Sequence, residues 1–290
     1  MIYEIKNDRF TAQVDSLGAQ LLSLKDETGF ERIWVADPNY WHEHAPVLFP
    51  IVGALREDKV KIGGSWVTMG RHGFAKRTQF QQAKEGEGSI ALTLTPTEAT
   101  KACYPFDFAL TVAYQLTEEG YITTFTVENT GDQPMPYVIG GHPGFNLPVG
   151  EGKFEDYTIQ FERDEDQKCP VIEEGSCLIN YEDCAYQLQG REIPLRHDLF
   201  YRDALVFDGL RSGWVRVVDK ATGRGVEMDF SQFPMLGIWS AKNDGPYVCL
   251  EPWTGCATLT TEGDDYEQKK GMAFLAPGEK QSHAFTVKFL

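Results

Sequence analysis

Four polar side chains in this sequence stand in local settings that could support chemistry. Arg56 ends an apolar run, and His72 and His142 each adjoin a glycine. Glu251 follows an apolar stretch and precedes a proline and a tryptophan. A carboxylate is rarely buried without a partner, and a histidine with a carboxylate can exchange protons with a substrate. The segments that carry them are residues 48–56, 70–75, 140–146 and 248–255.

Each of these residues also has a purely structural interpretation when it is taken alone. Arg56 can be a solvated strand end, and a histidine beside glycine is often a turn residue bonded to the backbone. Glu251 can be the structural partner of an arginine. The functional interpretation therefore requires that the four segments meet around one cleft.

Other kinds of chemistry have little support. His42, Glu43 and His44 offer possible metal ligands, but no His-Glu-x-x-His and no Cys-x-x-Cys occurs, so we expect no metal. The glycine-rich phosphate-binding motifs and the Gly-x-Ser-x-Gly elbow are absent. Their absence disfavours nucleotide cofactors and an α/β-hydrolase.

The composition is that of an acidic globular protein. The 290 residues include 27 Lys and Arg against 43 Asp and Glu, a formal net charge of −16. This charge repels phosphate backbones and anionic lipids, so we expect no nucleic-acid partner and no membrane partner. The N-terminal residues lack the apolar core of a signal peptide, and the six cysteines are expected to be free thiols, so we expect a cytoplasmic protein. The oligomeric state stays open.

The secondary structure that positions these four side chains is predicted to be mainly β-strand, because apolar and polar residues alternate with a period of two. Tyr121, Phe125 and Val127, for example, alternate with residues of the opposite face, as in a half-buried strand. Further strands are expected at residues 10–14, 59–62, 89–95, 108–116, 214–218, 226–230, 247–251 and 285–289. Strands at short intervals without intervening helices predict an all-β sandwich or barrel.

The remaining segments support one domain spanning residues 1–290. Only residues 37–44 and 97–101 have a pattern that favours one or two helical turns. The acidic residues 162–176 lack periodicity and are interpreted as a surface loop, since strands continue on both sides. No internal repeat of solenoid or propeller length is visible.

The four segments together resemble a known family, the aldose 1-epimerase (galactose mutarotase-like) superfamily, and within it the LacX-type bacterial branch. The resemblance runs over the full chain, from the opening strands to residues 275–279 and the last strand. The motifs that carry it, in order, are Phe49-Pro50 leading to Gly53 and Arg56, Arg71-His72-Gly73-Phe74-Ala75, Gly141-His142-Pro143-Gly144-Phe145 and Glu251-Pro252-Trp253.

The resemblance implies a large antiparallel β-sandwich, the galactose mutarotase-like supersandwich, with a sugar-binding cleft and no cofactor. It implies that His142 is the general acid for the ring oxygen and that Glu251 takes the proton of the anomeric hydroxyl. It implies that Arg56 and His72 hydrogen-bond the sugar and that Asp203 binds a hydroxyl.

Elementary chemistry is consistent with these roles. Opening a cyclic hemiacetal requires a proton for the ring oxygen and a base for the anomeric hydroxyl, and we expect a His and a Glu on opposite sides of the ring. His142 must then be partly protonated, and a nearby Glu251 or Asp203 would raise its pKa. Because sugar rings present apolar C–H faces, Trp239 and Trp253 are expected to form an aromatic wall.

The sequence thus predicts an isomerase that interconverts the α and β anomers of a hexose or hexose derivative. Galactose mutarotases carry Glu-Thr-Gln where this chain has Glu251-Pro252-Trp253, so galactose itself is not implied. A hexose-6-phosphate 1-epimerase is one alternative, and it needs a cationic pocket such as Arg71, Lys76 and Arg77 could supply. A carbohydrate-binding protein without catalytic activity is another, although binding alone needs no acid–base pair.

Overall fold

Antiparallel strand pairing organises nearly the whole chain. The computed structural model describes residues 1–290 and contains 24 strands, one short α-helix and five single turns of 3-10 helix. The helix is α1 (Glu98–Cys103), and the 3-10 turns are Arg56–Asp58, Ala75–Arg77, Phe154–Asp156, His197–Phe200 and Tyr266–Gln268. The strands are β1 (Ile2–Lys6), β2 (Phe10–Asp15), β3 (Gln20–Asp26), β4 (Val47–Leu48), β5 (Lys59–Ile62), β6 (Ser65–Thr68), β7 (Gln81–Gly86), β8 (Ser89–Leu94), β9 (Phe108–Leu116), β10 (Gly120–Asn129), β11 (Met135–Tyr137), β12 (Gly140–Gly141), β13 (Gly144–Asn146), β14 (Tyr157–Cys169), β15 (Val171–Ile172), β16 (Ile179–Asn180), β17 (Tyr186–Pro194), β18 (Leu205–Asp208), β19 (Trp214–Asp219), β20 (Gly225–Asp229), β21 (Met235–Trp239), β22 (Tyr247–Trp253), β23 (Ala273–Leu275) and β24 (Lys280–Phe289).

Two large sheets form the body of the sandwich. The first has nine strands in the order β17-β14-β19-β20-β24-β10-β9-β8-β7. The second has six, in the order β18-β21-β22-β12-β4, with β13 also paired to β22. Smaller sheets are β1-β2-β3, β5-β6, β11-β23 and β15-β16. The prediction of an all-β antiparallel sandwich is confirmed, and no helix of the structure is long and apolar enough to cross a bilayer.

The core lies between the two large sheets. A cluster of 60 buried hydrophobic residues includes side chains from both. Phe161 of β14 and Phe207 of β18 meet across the interface with ring centroids 5.2 Å apart. Gly141 of β12 packs directly on the Phe285 ring of β24, where a Cβ would lie 3.0 Å from it. The six-stranded sheet therefore turns one face to this core and leaves the other for a second role. One domain over residues 1–290 stays a prediction.

Strand β22 shows how the alternation divides the two faces. All seven of its residues are buried, whereas a strand with one face in solvent would expose every second side chain. Val248 and Leu250 join the main core cluster. Cys249, Glu251 and Trp253 point the other way, because successive side chains of a strand alternate between faces. The second face of the sheet is therefore covered as well, and it holds a carboxylate.

Two sequence expectations differ from the structure. Residues 37–44 form no helix, because they make a single turn, in which the Asp37 carbonyl accepts the Tyr40 and Trp41 amides and its carboxylate accepts the Asn39 amide, and the helical bonding does not continue. The acidic segment 162–176 is strand as far as Cys169. Its hydropathy conceals the alternation because Glu165 occupies a buried position, where its carboxylate accepts hydrogen bonds from the Ser212 N–H at 2.8 Å and hydroxyl at 2.7 Å.

Replacement of Gly237 by alanine tests how tightly the second face is packed. A Cβ on Gly237 would lie 2.6 Å from the Trp253 ring, so Gly237→Ala must displace that ring or the strand. We expect the free energy of unfolding to fall by about 1–3 kcal/mol, as for other overpacked sites. Urea denaturation measures it. Gly70→Ala is the control, because no atom lies within 4 Å of its Cβ, and equal stabilities of the two variants would contradict the packing described here.

Candidate active site

The strand register brings His142 and Glu251 together. Gly140 pairs with Trp253, and Gly144 pairs with Cys249, so the residue midway between the glycines falls opposite Glu251. Directly opposite side chains on antiparallel strands are near neighbours. The His142 Nε2 and Glu251 Oε2 atoms are 3.2 Å apart. The expectation of two groups on opposite sides of a sugar ring is therefore wrong, since the two are in direct contact.

Both members of this pair are withdrawn from water. His142 is 8% exposed and Glu251 is 2% exposed. Burial penalises a charge, and it raises the pKa of Glu251 well above its usual range while the Arg71 charge opposes the shift. Burial, reinforced by the charge of Arg71, lowers the pKa of His142 to about 3. The sequence predicts a raised pKa for His142, but in the structure this pKa is lowered. Burial keeps Glu251 protonated, so its carboxyl carries no negative charge that would stabilise the imidazolium.

His72 lies beside this pair with its ring orientation defined. The Gly53 backbone N–H donates to the ring atom Nδ1 of His72 at 3.0 Å. The His72 backbone N–H donates to the Gly53 carbonyl at 2.8 Å. A ring that accepts at Nδ1 carries its proton on Nε2 when neutral. Burial and the neighbouring positive groups hold the pKa of His72 well below its usual value. His72 is therefore a neutral donor at the cleft, with its ring centroid 5.7 Å from that of His142.

Arg71 and Asp203 form the charged pair of the cleft. Arg71 Nη2 lies 3.4 Å from both carboxylate oxygens of Asp203. Arg71 also approaches the Cys177 Sγ atom at 3.6 Å. Asp203 has a positive φ of 79° and accepts the Ala204 N–H at 2.8 Å, which directs its carboxylate toward the cleft. Both side chains remain partly exposed and can meet a ligand.

Aromatic rings enclose the cleft. Trp41 stacks on the His142 ring with centroids 4.7 Å apart, and Trp239 meets the same ring edge-on at 5.6 Å. Trp253 is 5% exposed and packs against Gly140 and Gly237. Its indole N–H makes no hydrogen bond of regular geometry, but it approaches the Glu251 carboxyl closely enough to oppose the rise in the pKa of that group. Trp239 and Trp41 thus form the walls, whereas Trp253 is largely a buried floor.

The cleft formed by these groups is compact. Its volume is about 190 Å³. Its aromatic walls and floor come from Trp41, Trp239 and Trp253. Its ionisable side chains are Arg71, His72, His142, Asp203 and Glu251. The structure therefore brings together every sequence-predicted site residue except one.

Arg56 is the exception. Its Nη2 donates to the backbone carbonyls of Leu259 at 3.3 Å, Thr260 at 3.4 Å and Glu262 at 3.0 Å. Its Nε lies 3.5 Å from the Asp264 carboxylate. The guanidinium ties down the loop that follows β22 and does not line the cleft, so the structure gives Arg56 a structural position.

Two lining residues, Arg71 and Trp41, are not predicted as site residues from the sequence. Arg71 directly precedes His72, but its charge alone suggests only a phosphate ligand. Trp41 precedes His42, Glu43 and His44, whose side chains are the possible metal ligands of that segment. In the structure Glu43 instead binds Lys76 at 2.9 Å, and His44 Nδ1 bonds the Trp34 carbonyl at 2.8 Å. No local pattern marks Trp41, because its stacking on His142 arises only in the tertiary fold.

One cluster has the donor types that a metal ion would accept. Ligand atoms of His142, Cys249 and Glu251 lie within 4.8 Å of one another, and all three residues are buried. At 3.2 Å, a proton can also pass directly between His142 Nε2 and Glu251 Oε2. We propose no metal here, because such a transfer requires none.

This chain is similar to known proteins in both sequence and structure. A family model described as Aldose 1-epimerase matches residues 1–288. The chromosomal protein LacX of Lactococcus lactis subsp. lactis is 34% identical over 305 residues, covering 100% of both chains.

Among solved structures, a galactose mutarotase related enzyme from Lactobacillus acidophilus has a TM-score of 0.93 and 32% identity, with 100% of this chain and 97% of that chain covered. A galactose mutarotase-like protein from Lactobacillus casei has a TM-score of 0.91 and 27% identity, with both chains covered fully. These matches support a sugar epimerase-type function and a sugar as the ligand, and the chain belongs to the aldose 1-epimerase family.

Proposed function

We propose that this protein is an aldose 1-epimerase that interconverts the α and β anomers of a neutral hexose, with His142 and Glu251 as the acid–base pair. The observation that carries the proposal is the 3.2 Å contact between the two side chains inside a cleft of about 190 Å³. A binding protein without activity has no use for a buried imidazole and carboxyl in contact, since each costs free energy to withdraw from water.

The side-by-side arrangement suits the reaction. The anomeric hydroxyl and the ring oxygen are bonded to the same carbon, so the groups that reach them must also be neighbours. In the forward step Glu251 takes the hydroxyl proton, the bond from the anomeric carbon to the ring oxygen breaks, and His142 gives a proton to that oxygen. After rotation about the C1–C2 bond the two transfers reverse, and the ring closes as the other anomer. No proton is gained or lost overall.

For catalysis, His142 and Glu251 must share one titratable proton, either as carboxyl and neutral imidazole or as carboxylate and imidazolium. Burial disfavours both the doubly protonated and the fully deprotonated forms, because each carries a net charge. Before a sugar binds, this proton lies on Glu251, whose pKa burial raises, and His142 is neutral because burial lowers its pKa. Transfer of the proton across the 3.2 Å contact produces the carboxylate and imidazolium that the reaction uses. Both positions of the proton give the pair the same number of bound protons, so moving it between the two residues needs no change of pH.

The other lining groups have binding roles in this proposal. The Nε2–H of neutral His72 donates to the sugar, and the Arg71–Asp203 pair offers donors and acceptors to hydroxyls remote from the anomeric carbon. Trp239 and Trp41 cover the apolar face of the ring.

A phosphorylated hexose is disfavoured. The one arginine of the cleft, Arg71, is already paired with Asp203 at 3.4 Å. Lys76, the next cation, is buried against Glu43 at 2.9 Å. A phosphate in the cleft would therefore find no unpaired cation.

Replacement of either member of the pair is expected to remove most of the activity. Glu251→Gln keeps the shape but not the base, and His142→Asn removes the proton donor. Each should lower kcat/KM by about 10²–10⁴-fold. Polarimetry on freshly dissolved α-glucose and α-galactose, with spontaneous mutarotation subtracted, measures this rate.

Glu165→Gln is the matched control, because Glu165 is a second carboxylate that is 2% exposed but lies outside the cleft. Its kcat/KM per folded molecule should equal that of the wild type. A Glu251→Gln variant with near wild-type rates would rule out the proposed mechanism and make Asp203 the next carboxylate to test.

The protonation of His142 offers a test without substrate. Because its pKa is lowered to about 3, the ring should stay neutral in the free protein from pH 8 down to about pH 4.5. Side-chain ¹⁵N–¹H NMR spectra, with the His142 signals assigned from His142→Asn, follow the titration. In Glu251→Gln the pKa should remain low, since burial is the largest cause of the shift. A titration midpoint near 6.5 would contradict this account.

The two tryptophans are expected to respond differently to truncation. Trp239→Ala should raise KM for the sugar with little change in unfolding free energy, because this ring is partly exposed in the cleft. Trp253→Ala should cost about 3–5 kcal/mol of stability, as for other large buried rings. Urea unfolding and steady-state kinetics on both variants separate the effects. Equal loss of stability in both would show that Trp239 is a core residue.

A further inference from the structure

A second, larger cavity adjoins the candidate active site. Its volume is about 810 Å³, within the range of about 300–1,000 Å³ that is typical of small-molecule sites. Four residues line both cavities, namely Ile172, Cys177, Asp203 and Trp239. The inner cleft is about 190 Å³, so most of the ligand-sized space next to the acid–base pair lies outside it.

We propose that this outer cavity binds a glycosyl unit attached to the sugar in the inner cleft, so that the preferred substrate is a reducing disaccharide or longer oligosaccharide. This inference rests on the proposed function, because it places the reducing end of the substrate against His142 and Glu251. Trp239 stands between the two cavities and offers ring surface to both.

The lining of the outer cavity suits a neutral, hydroxyl-rich ligand with apolar faces. Tyr40 and Tyr201 line it and are 37% and 49% exposed, so both rings present surface that a ligand can cover. The Tyr201 hydroxyl donates to Asp244 at 2.9 Å, which holds the ring in place. Rigid aromatic surfaces with fixed polar edges are suited to stacking on sugar rings.

The charges of the cavity argue against an anionic extension. Arg202 and Lys242 line it, but so do Glu173, Glu174 and Asp183. The acids outnumber the bases, and Asp203 at the junction is already paired with Arg71. A phosphate or carboxylate group would meet net repulsion there, whereas sugar hydroxyls can bond to groups of either sign.

Anomerisation kinetics on sugars of different length test the proposal. The monosaccharide probes are glucose and galactose, and the disaccharide probes are maltose, cellobiose, lactose, isomaltose and melibiose. We expect at least one disaccharide to have a kcat/KM about tenfold above that of its reducing-end monosaccharide, since remote binding energy of about 1.4 kcal/mol lowers the barrier by that factor. All five disaccharides have glucose at the reducing end, so a glucose kcat/KM that equals or exceeds those of all five would overturn the inference while leaving the proposed function intact.

Substitutions in the outer cavity locate the effect. Tyr201→Ala should remove most of the disaccharide advantage and leave the glucose rate within about twofold. Tyr181→Ala is the matched control, because Tyr181 is another exposed tyrosine whose hydroxyl donates to an aspartate at 2.9 Å, but it lines neither cavity. A Tyr201→Ala variant that loses glucose and disaccharide activity equally, or not at all, would contradict the assignment.

Calorimetric binding separates this inference from catalysis. The wild-type protein should bind the preferred disaccharide more tightly than the monosaccharide, and Tyr201→Ala should abolish the difference. If no sugar is anomerised but this binding difference appears, the proposed function fails and the outer subsite stands. If sugars are anomerised and no binding difference appears, the subsite fails alone.

Discussion

The register between β22 and the paired segments β12 and β13 is the constraint on which the site depends. Gly140 opposite Trp253 and Gly144 opposite Cys249 leave His142 facing Glu251. Because side chains alternate along a strand, a slip of one residue would turn Glu251 toward the core and Leu250 toward the cleft. The apolar residues Val248 and Leu250, which belong to the main core, therefore help to define where the carboxylate lies.

Charge balance in the cleft follows from the burial of one pair and from ion pairing in the other. The His142–Glu251 pair with one proton is neutral, and so is the Arg71–Asp203 pair. A protein of formal net charge −16 thus presents an inner cleft without net charge. Such a cleft is suited to an uncharged ligand, whose hydroxyls replace water in hydrogen bonding and whose C–H faces meet Trp239 and Trp41.

Local sequence patterns were sufficient for some parts of this molecule and insufficient for others, for physical reasons. Alternation revealed β9 because its buried positions are apolar, and β10 because Tyr121, Phe125 and Val127 occupy three of its buried positions. It failed in β14, where a buried position is held by the hydrogen-bonded Glu165. His142 and Glu251 stand in conspicuous motifs, but their direct contact depends on a register between segments more than 100 residues apart, and their pKa shifts depend on burial that no local pattern reports.

Arg56 and Trp41 also show that the role of a side chain can depend on contacts that only the fold creates. Arg56 resembled a ligand-binding arginine, yet only the fold shows that backbone carbonyls of a distant loop occupy its donors. Trp41 carried no signal, yet its loop brings it onto His142. The position of a long or bulky side chain is decided by tertiary neighbours, so its role is harder to infer than its type.

The tight seating of Trp253 has a consequence for the history of the sequence. A Cβ at position 140 would lie 2.7 Å from this indole, and one at position 237 would lie 2.6 Å from it. A lineage that replaces the tryptophan by a slimmer side chain releases position 237 from purifying selection, because only the ring restricts it. Position 140 stays restricted in either case, because a Cβ there would also lie 2.9 Å from the Pro252 carbonyl oxygen. A lineage that keeps the ring must keep both glycines.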